Sequence, residues 1–136
     1  MAKRRNRWLQ VVDDPKREVF HVLARRDIGL GQVVCRLPKV FTDTRDRHSI
    51  EVGPGRHQAF TDEIDDYINH SCDPNLELVV GDAESDEYVF RAIKPISVGD
   101  EVSWDYETFE SVLQNPFPCT CGAVNCRKMI VGCDLR

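Results

Sequence analysis

No stretch of this chain approaches the roughly 18 apolar residues of a membrane-spanning helix. Its start is basic and runs straight into Trp8-Leu9-Gln10-Val11-Val12-Asp13, too short and mixed for the apolar core of a secretory signal. No internal repeat, low-complexity tract or linker divides the sequence. Positive charge is also in short supply: 18 Lys and Arg stand against 23 Asp and Glu, a formal net charge of −5. A general nucleic-acid binder normally carries a basic face, so no direct nucleic-acid reader is expected, and the balance favours cationic partners. The basic head Lys3-Arg4-Arg5-Asn6-Arg7 is the exception. It reads first as a solvated terminus and second as a contact for an anionic partner. These absences leave one domain with a modest core in 136 residues, intracellular (cytoplasmic or nuclear) and without a membrane.

What the sequence does have is six cysteines, four of them in suggestive places. Cys119, Cys121 and Cys126 form a C-x-C-x4-C cluster with Gly122 in its turn, and Cys72 sits in the polar loop Asn69-His70-Ser71-Cys72-Asp73-Pro74-Asn75. Without an export signal, reduced thiols and metal are preferred to disulfides. Four thiolates are what a closed tetrahedral Zn2+ site requires. With Cys72 as fourth ligand, the metal would tie the tail to the middle of the chain. Cys35 and Cys133 are then spare.

The periodicity predicts many short strands: residues 19–24, 32–37 ended by Pro38, 49–52 broken by Gly53-Pro54-Gly55, 76–80 and 88–93. The last two read as a hairpin or meander across residues 81–87. Ile28-Gly29-Leu30-Gly31 reads as a turn, residues 43–47 as a polar loop, and residues 62–68 as one possible short helix. Pro95 and Gly99 lead into Glu101-Val102-Ser103-Trp104-Asp105-Tyr106, the next ordered segment.

In this order the motifs resemble a SET domain followed by its small zinc-binding post-SET tail. The resemblance rests on residues 69–75, on Val98-Gly99-Asp100-Glu101-Val102-Ser103-Trp104-Asp105-Tyr106, on residues 119–127 and on the early turn at residues 27–34. It covers roughly residues 15–133. That family comprises protein-lysine methyltransferases that use S-adenosylmethionine. The resemblance implies a mostly β fold of several small sheets, with residues 69–75 threading beneath the Tyr106 segment in a knot-like crossing. It divides the chain into an extension (1–14), a SET-like catalytic domain (15–110) and a zinc-bound tail (111–136).

The resemblance also implies roles. Asn69 and the backbone near His70 would hold the adenosyl part of the cofactor. Gly29, Leu30 and Gly31 would approach its methionine part, and Phe117 would press the tail against it. Tyr106 is the expected catalytic residue. Methyl transfer from a sulfonium to an amine is a direct displacement that needs a neutral amine and a straight approach. A tyrosine hydroxyl can orient the nitrogen lone pair, and desolvation in the channel lowers the lysine pKa. Tyr67 either lines the lysine channel or packs in the core. Trp104 does the same, and in the channel it would crowd out all but one methyl group. Glu63, Asp65, Asp66, Glu107 and Glu110 form either a solvated face or guidance for a lysine-rich or polyamine-like substrate.

Two positions depart from the family pattern. Trp104 stands where Phe or Tyr is common, and Lys128 follows Cys126-Arg127 where glycine is usual. The cysteine-rich pre-SET region of many histone enzymes is missing, and residues 49–55 are a compact stand-in for the variable insert. The expected partner is a lysine-bearing protein or peptide, histone-like tails included; a small amine substrate and a homodimer are left open. The competing readings are a degenerate SET-like binding protein without methyl transfer and a SET-derived biosynthetic enzyme acting on a small molecule.

Overall fold

The computed structural model describes residues 4–16, 19–45, 49–59, 63–81 and 86–135. Twelve short strands appear: β1 Leu9–Asp14, β2 Val19–Ala24, β3 Val33–Pro38, β4 Phe41–Thr42, β5 Ile50–Gly53, β6 Arg56–Gln58, β7 Asn69–His70, β8 Leu76–Val79, β9 Glu87–Ala92, β10 Ser103–Trp104, β11 Phe117–Pro118 and β12 Met129–Ile130. They form five small sheets among the described residues, ordered β1-β2, β3-β9-β8, β4-β6-β5, β10-β7 and β11-β12. Three 3-10 helices, Ile64–Tyr67, Tyr106–Thr108 and Cys133–Leu135, are the remaining elements among the described residues.

Alternation builds the main core. In β9 Tyr88, Phe90 and Ala92 point inward, and in β8 Leu76 and Leu78 meet them across the antiparallel register Leu76↔Ala92 and Leu78↔Phe90. This is the hairpin expected from the alternating runs, with residues 82–85 of its loop outside the described set. A second, smaller core gathers Cys72, Cys119 and Ile130 under Leu113 and Phe117.

Parts of the structure differ from the sequence reading. Residues 9–14 are no extension: β1 pairs with β2 from Leu9↔Ala24 to Asp14↔Val19, and Leu9 is fully buried. Residues 4–7 of the basic head are likewise held in place, with Lys3 outside the described residues. Asn6 Oδ1 accepts from the Trp8 and Leu9 N–H groups at 2.7 and 2.8 Å, and Arg4 lies 4.8 Å from the Tyr67 ring centre. β6 escaped detection because its buried residues are polar: Gln58 accepts from Val40 N at 2.9 Å and donates to Pro38 O at 2.7 Å. Residues 101–106 do not form one strand. Glu101 only bridges Leu23, β10 has two residues, and Asp105 ends it by capping the next 3-10 helix, accepting from Glu107 N at 3.0 Å. The expected helix over 62–68 is the 3-10 turn Ile64–Tyr67, with Asp62 outside the described residues.

Candidate functional site

The site begins where β7 and β10 run parallel, Ser103 opposite Asn69 and Trp104 opposite His70. So short a parallel pair needs side-chain help. Asn75 supplies it, accepting from Ser103 N and donating to Glu101 O, both at 2.9 Å. The seam places Asn69, His70, Trp104 and Tyr106 on a cavity of about 740 Å³ that Phe117 and Cys119 close from the tail side. A smaller cavity of about 270 Å³ lies away from them, lined by Trp8, Arg36 and Glu63 among others.

Tyr106 is half-buried, and its hydroxyl donates to Ile68 O at 2.7 Å. Burial, then the nearby Glu101 carboxylate, pushes this phenol well above its ordinary range, so it keeps its proton. Its ring sits among those of His70 (5.3 Å between centres), Trp104 (5.3 Å) and Phe117 (6.0 Å). The phenol proton is committed to Ile68, so the oxygen's lone pairs are what it has left to offer a ligand.

His70 is locked between two elements. Its Nδ1 accepts from Tyr106 N at 3.1 Å, which leaves Nε2 to carry the proton, 3.3 Å from Cys72 Sγ. Asn69 Nδ2 donates to Phe20 O at 2.8 Å and Glu101 at 3.1 Å. Trp104 is 5% exposed within the main core and also lines the cavity.

Four of the expected residues lie off the cavity wall. Gly29, Leu30 and Gly31 do not line the cavity. Their turn hooks onto the end of β9 through Gly31 N to Ala92 O at 2.8 Å, and Leu30 is 69% exposed. The glycine at position 31 accommodates a positive φ of 86°. Val19 and His21 of β2 occupy the cavity wall instead. Tyr67 also stays off that wall, its ring 5.1 Å from that of Phe20.

Cys72, Cys119, Cys121 and Cys126 bring their four Sγ atoms within 4.8 Å of one another. The Cys72–Cys119 separation is 3.9 Å, close to the spacing of about 3.8 Å that a tetrahedral ion with Zn–S bonds near 2.3 Å imposes. The donor set therefore fits zinc. Burial pushes the Cys119 thiol up to about 12. At Cys121 desolvation also acts upward, but hydrogen bonds from the backbone at Ala123 and Cys72 and from neighbouring thiols outweigh it, holding the thiol down to about 6. Cys35 and Cys133 remain outside the cluster.

Sequence reasoning missed what joins this cluster to Tyr106. Arg127 donates to Cys72 Sγ from its backbone N and Nε, both at 3.4 Å. Its guanidinium pairs with Asp105 at 2.7 Å and Glu107 at 3.0 Å. Glu107 is buried and accepts from Val131 N and Gly132 N at 3.1 and 2.9 Å. Of the five acidic residues read as a solvated face or guidance, Asp65, Glu107 and Glu110 are thus buried. The signal was present in the arginine after Cys126, but its partners are set only by tertiary packing. Lys128 has φ 70°, the left-handed region that explains why glycine is usual there.

The family model for the SET domain matches residues 19–107. Methyltransferase flvH of Aspergillus flavus is 37% identical over 84 residues, covering 62% of this chain and 45% of that protein. Human histone-lysine N-methyltransferase 2B is 29% identical over 126 residues, 80% of this chain and 5% of that one. The chain spans less than half the length of these relatives. Among solved structures, KRYPTONITE in complex with mCHH DNA, H3(1-15) peptide and SAH aligns over 92% of this chain and 30% of its own, with TM-score 0.71 and 28% identity.

Proposed function

The chain belongs to the SET-domain family, and from that premise we propose that it transfers a methyl group from S-adenosylmethionine to the side-chain amine of a lysine in a protein or peptide. The observation that carries this is the Tyr106 hydroxyl, fixed on Ile68 O at 2.7 Å at the wall of a cavity shared with Asn69, His70 and Phe117. The matched KRYPTONITE complex, which holds SAH and a histone peptide, supports the same reading.

When bound, S-adenosylmethionine would supply an electrophilic methyl group to a lysine amine that has first given its proton to water, with S-adenosylhomocysteine leaving with the C–S electron pair. Tyr106 keeps its own proton and directs an oxygen lone pair toward the amine, holding it in line. The apolar ring cluster of Tyr106, Trp104 and Phe117 lowers the amine's pKa by desolvation and excludes water. Asn69, His70 and Phe117 form the cofactor's side. Gly29, Leu30 and Gly31 would approach its methionine part from their turn at the end of β9, with Val19 and His21 on the adjoining cavity wall. The bulk of Trp104 against the Tyr106 ring supports a product with a single methyl group. Zn2+ held by Cys72, Cys119, Cys121 and Cys126 has a structural role, pinning residues 111–135 as one wall of the cavity. The setting is intracellular, nuclear or cytoplasmic.

Calorimetry of zinc-loaded protein with S-adenosylmethionine tests the premise. Binding followed by label transfer to lysine-rich peptides or histone tails is the expected result. No binding would leave a scaffold without methyl transfer as the better account.

A further inference from the structure

The turn that precedes β1 gathers arginines from three parts of the chain. Asn6 Nδ2 donates to Val34 O at 2.8 Å, while Arg25 donates its N to Trp8 O at 2.8 Å and its guanidinium to Asn6 O. Arg7 and Arg26 lie 5.3 and 5.5 Å from the Trp8 ring centre. Arg7, Trp8 and Arg36 line the smaller cavity of about 270 Å³, which shares no residue with the main one. Arg7, Arg25, Arg26 and Arg36 are all exposed, and none pairs with a carboxylate among the described residues, whereas Arg45, Arg91 and Arg127 each do. Of the nearby acids, Glu63 lines the cavity but sits in the capping box of the turn Ile64–Tyr67, and Asp27 accepts from Val98 N at 2.9 Å.

The net charge of −5 conceals this local field. A guanidinium held over an indole by a cation–π contact keeps its N–H donors for other partners. Its planar fork matches phosphate oxygens, two N–H groups at a time. We propose that this face holds the phosphate backbone of a single-stranded nucleic acid, with the four arginines on its phosphates and the partly exposed Trp8 indole as a surface for a base. Such phosphate contacts fix position and carry no sequence information, so the bases go unread.

Two further features agree. The cavity falls below the roughly 300 Å³ at which ordinary ligand pockets begin, so it takes one unit of an extended chain rather than a whole free ligand. An acidic peptide would satisfy the guanidiniums but has no use for an aromatic ring beside them, whereas a nucleic acid uses both.

The test is fluorescence anisotropy of the zinc-loaded full chain with a labelled oligothymidylate of about 12 nucleotides, titrated over a range of salt. Four phosphate contacts predict that log K falls with log salt at a slope of about −3. Arg7→Gln combined with Arg36→Gln should halve that slope and weaken binding at least about tenfold at roughly 50 mM salt. Arg26→Gln alone should lower the slope by about 0.7. A control of equal charge, Arg56→Gln with Lys94→Gln, removes cations held at Phe41 and Asp73 and should change the slope little. Trp104, the other tryptophan, is 5% exposed, so quenching of emission on binding reports Trp8 and should vanish in Trp8→Phe. Absence of binding, or an equal loss of slope in the control pair, would overturn the inference. So would an oligoglutamate of the same length that displaces the strand at the same concentration, since the face would then suit acidic proteins. S-adenosylmethionine binding should be the same in all these variants, because the two cavities share no residue.

Discussion

The tail side of the cavity and the side formed by the 3-10 turn Ile64–Tyr67 treat their buried charges in opposite ways. On the tail side, Arg127 is matched by Asp105 and Glu107, and Glu107 also takes two backbone N–H groups, Val131 and Gly132. On the other side, Asp65 keeps an oxygen with no donor among the described residues. A buried ion pair is tolerable only when its remaining hydrogen-bonding capacity is filled, and the tail meets that condition from its own residues. The Asp65 side leaves it unmet among the described residues. The difference separates a wall whose charges are matched from one that holds an unmatched carboxyl oxygen.

The largest effect should come from removing the tail's anchor. Cys72→Ser deletes one of four proposed zinc ligands and the acceptor of three N–H groups. Zinc binding in such sites is spent on ordering the chain, so several kcal/mol of tail stability should go with it. Elemental analysis should fall from about one zinc per chain toward none, and residues 111–135 should become the first site of proteolysis. Full zinc occupancy in this variant would break the comparison, because the tail would then be held by something other than the cluster.

Tyr106→Phe comes next. It keeps the ring contacts and removes only the hydroxyl that bonds Ile68 O. The turnover number should fall roughly 10- to 1000-fold while S-adenosylmethionine affinity stays nearly intact. Asn69→Ala should show the reverse pattern, a weaker cofactor complex first. Unchanged turnover in Tyr106→Phe on a genuine substrate would remove Tyr106 from the proposed chemistry and leave the fold untouched.

A smaller break targets how the tail lies on its neighbour. A Cβ on Gly132 would sit 2.3 Å from Ser111 O, at a φ of 118°. Gly132→Ala should therefore cost about 1–3 kcal/mol, visible as a lower urea midpoint and weaker retention of zinc. An unaltered midpoint would mean that the contact between residues 111–112 and 132 is dispensable.

Much of this was legible in the sequence, for a physical reason in each case. β2, β8 and β9 announce themselves because one face is apolar and the period is two residues. The four cysteines do so because thiolates at that spacing have few other uses. β6 was hidden because Gln58 and His57 are buried polar residues, which no hydrophobic pattern marks. The turn at residues 29–31 was legible as a turn but not its role, because a glycine that serves a positive φ and one that admits a ligand look the same in sequence. The join from Arg127 to Asp105 and Glu107 was missed because those pairs span about 20 residues and depend on how the tail docks. Asp65 could be named as acidic but not as unpartnered, since a missing partner is a property of the packed structure alone.

The smallest expected effect is on the pH dependence of stability, and it bears most directly on Asp65. Burial, then Asp66 and Glu63, raises Asp65 from 3.8 to about 7, and burial with Glu51 raises Glu110 from 4.5 to about 7 against the relief given by the Glu51 N–H and Arg45. A raised folded-state value means that the folded protein holds the proton where the unfolded chain has lost it. The stabilising contribution of each group is therefore complete below the ordinary carboxylate range and is lost as pH rises through about 7. Glu51 acts the other way: although desolvation raises it, hydrogen bonds from Ser111 and Arg45 hold it low, so its contribution is already complete once pH exceeds 4.5. Zinc also binds more tightly as its thiols deprotonate, which slopes against the two acids. The difference between variant and wild type cancels both effects. Urea unfolding of the zinc-loaded chain should show Asp65→Asn gaining on wild type by about 1–3 kcal/mol between roughly pH 4 and 7, with little difference at the acid end. Glu110→Gln should gain less, since Arg45 and the Glu51 N–H already favour its charged form. A flat difference for Asp65→Asn across that range would mean that its carboxyl is relieved in the free protein, and the contrast between the two walls would go with it.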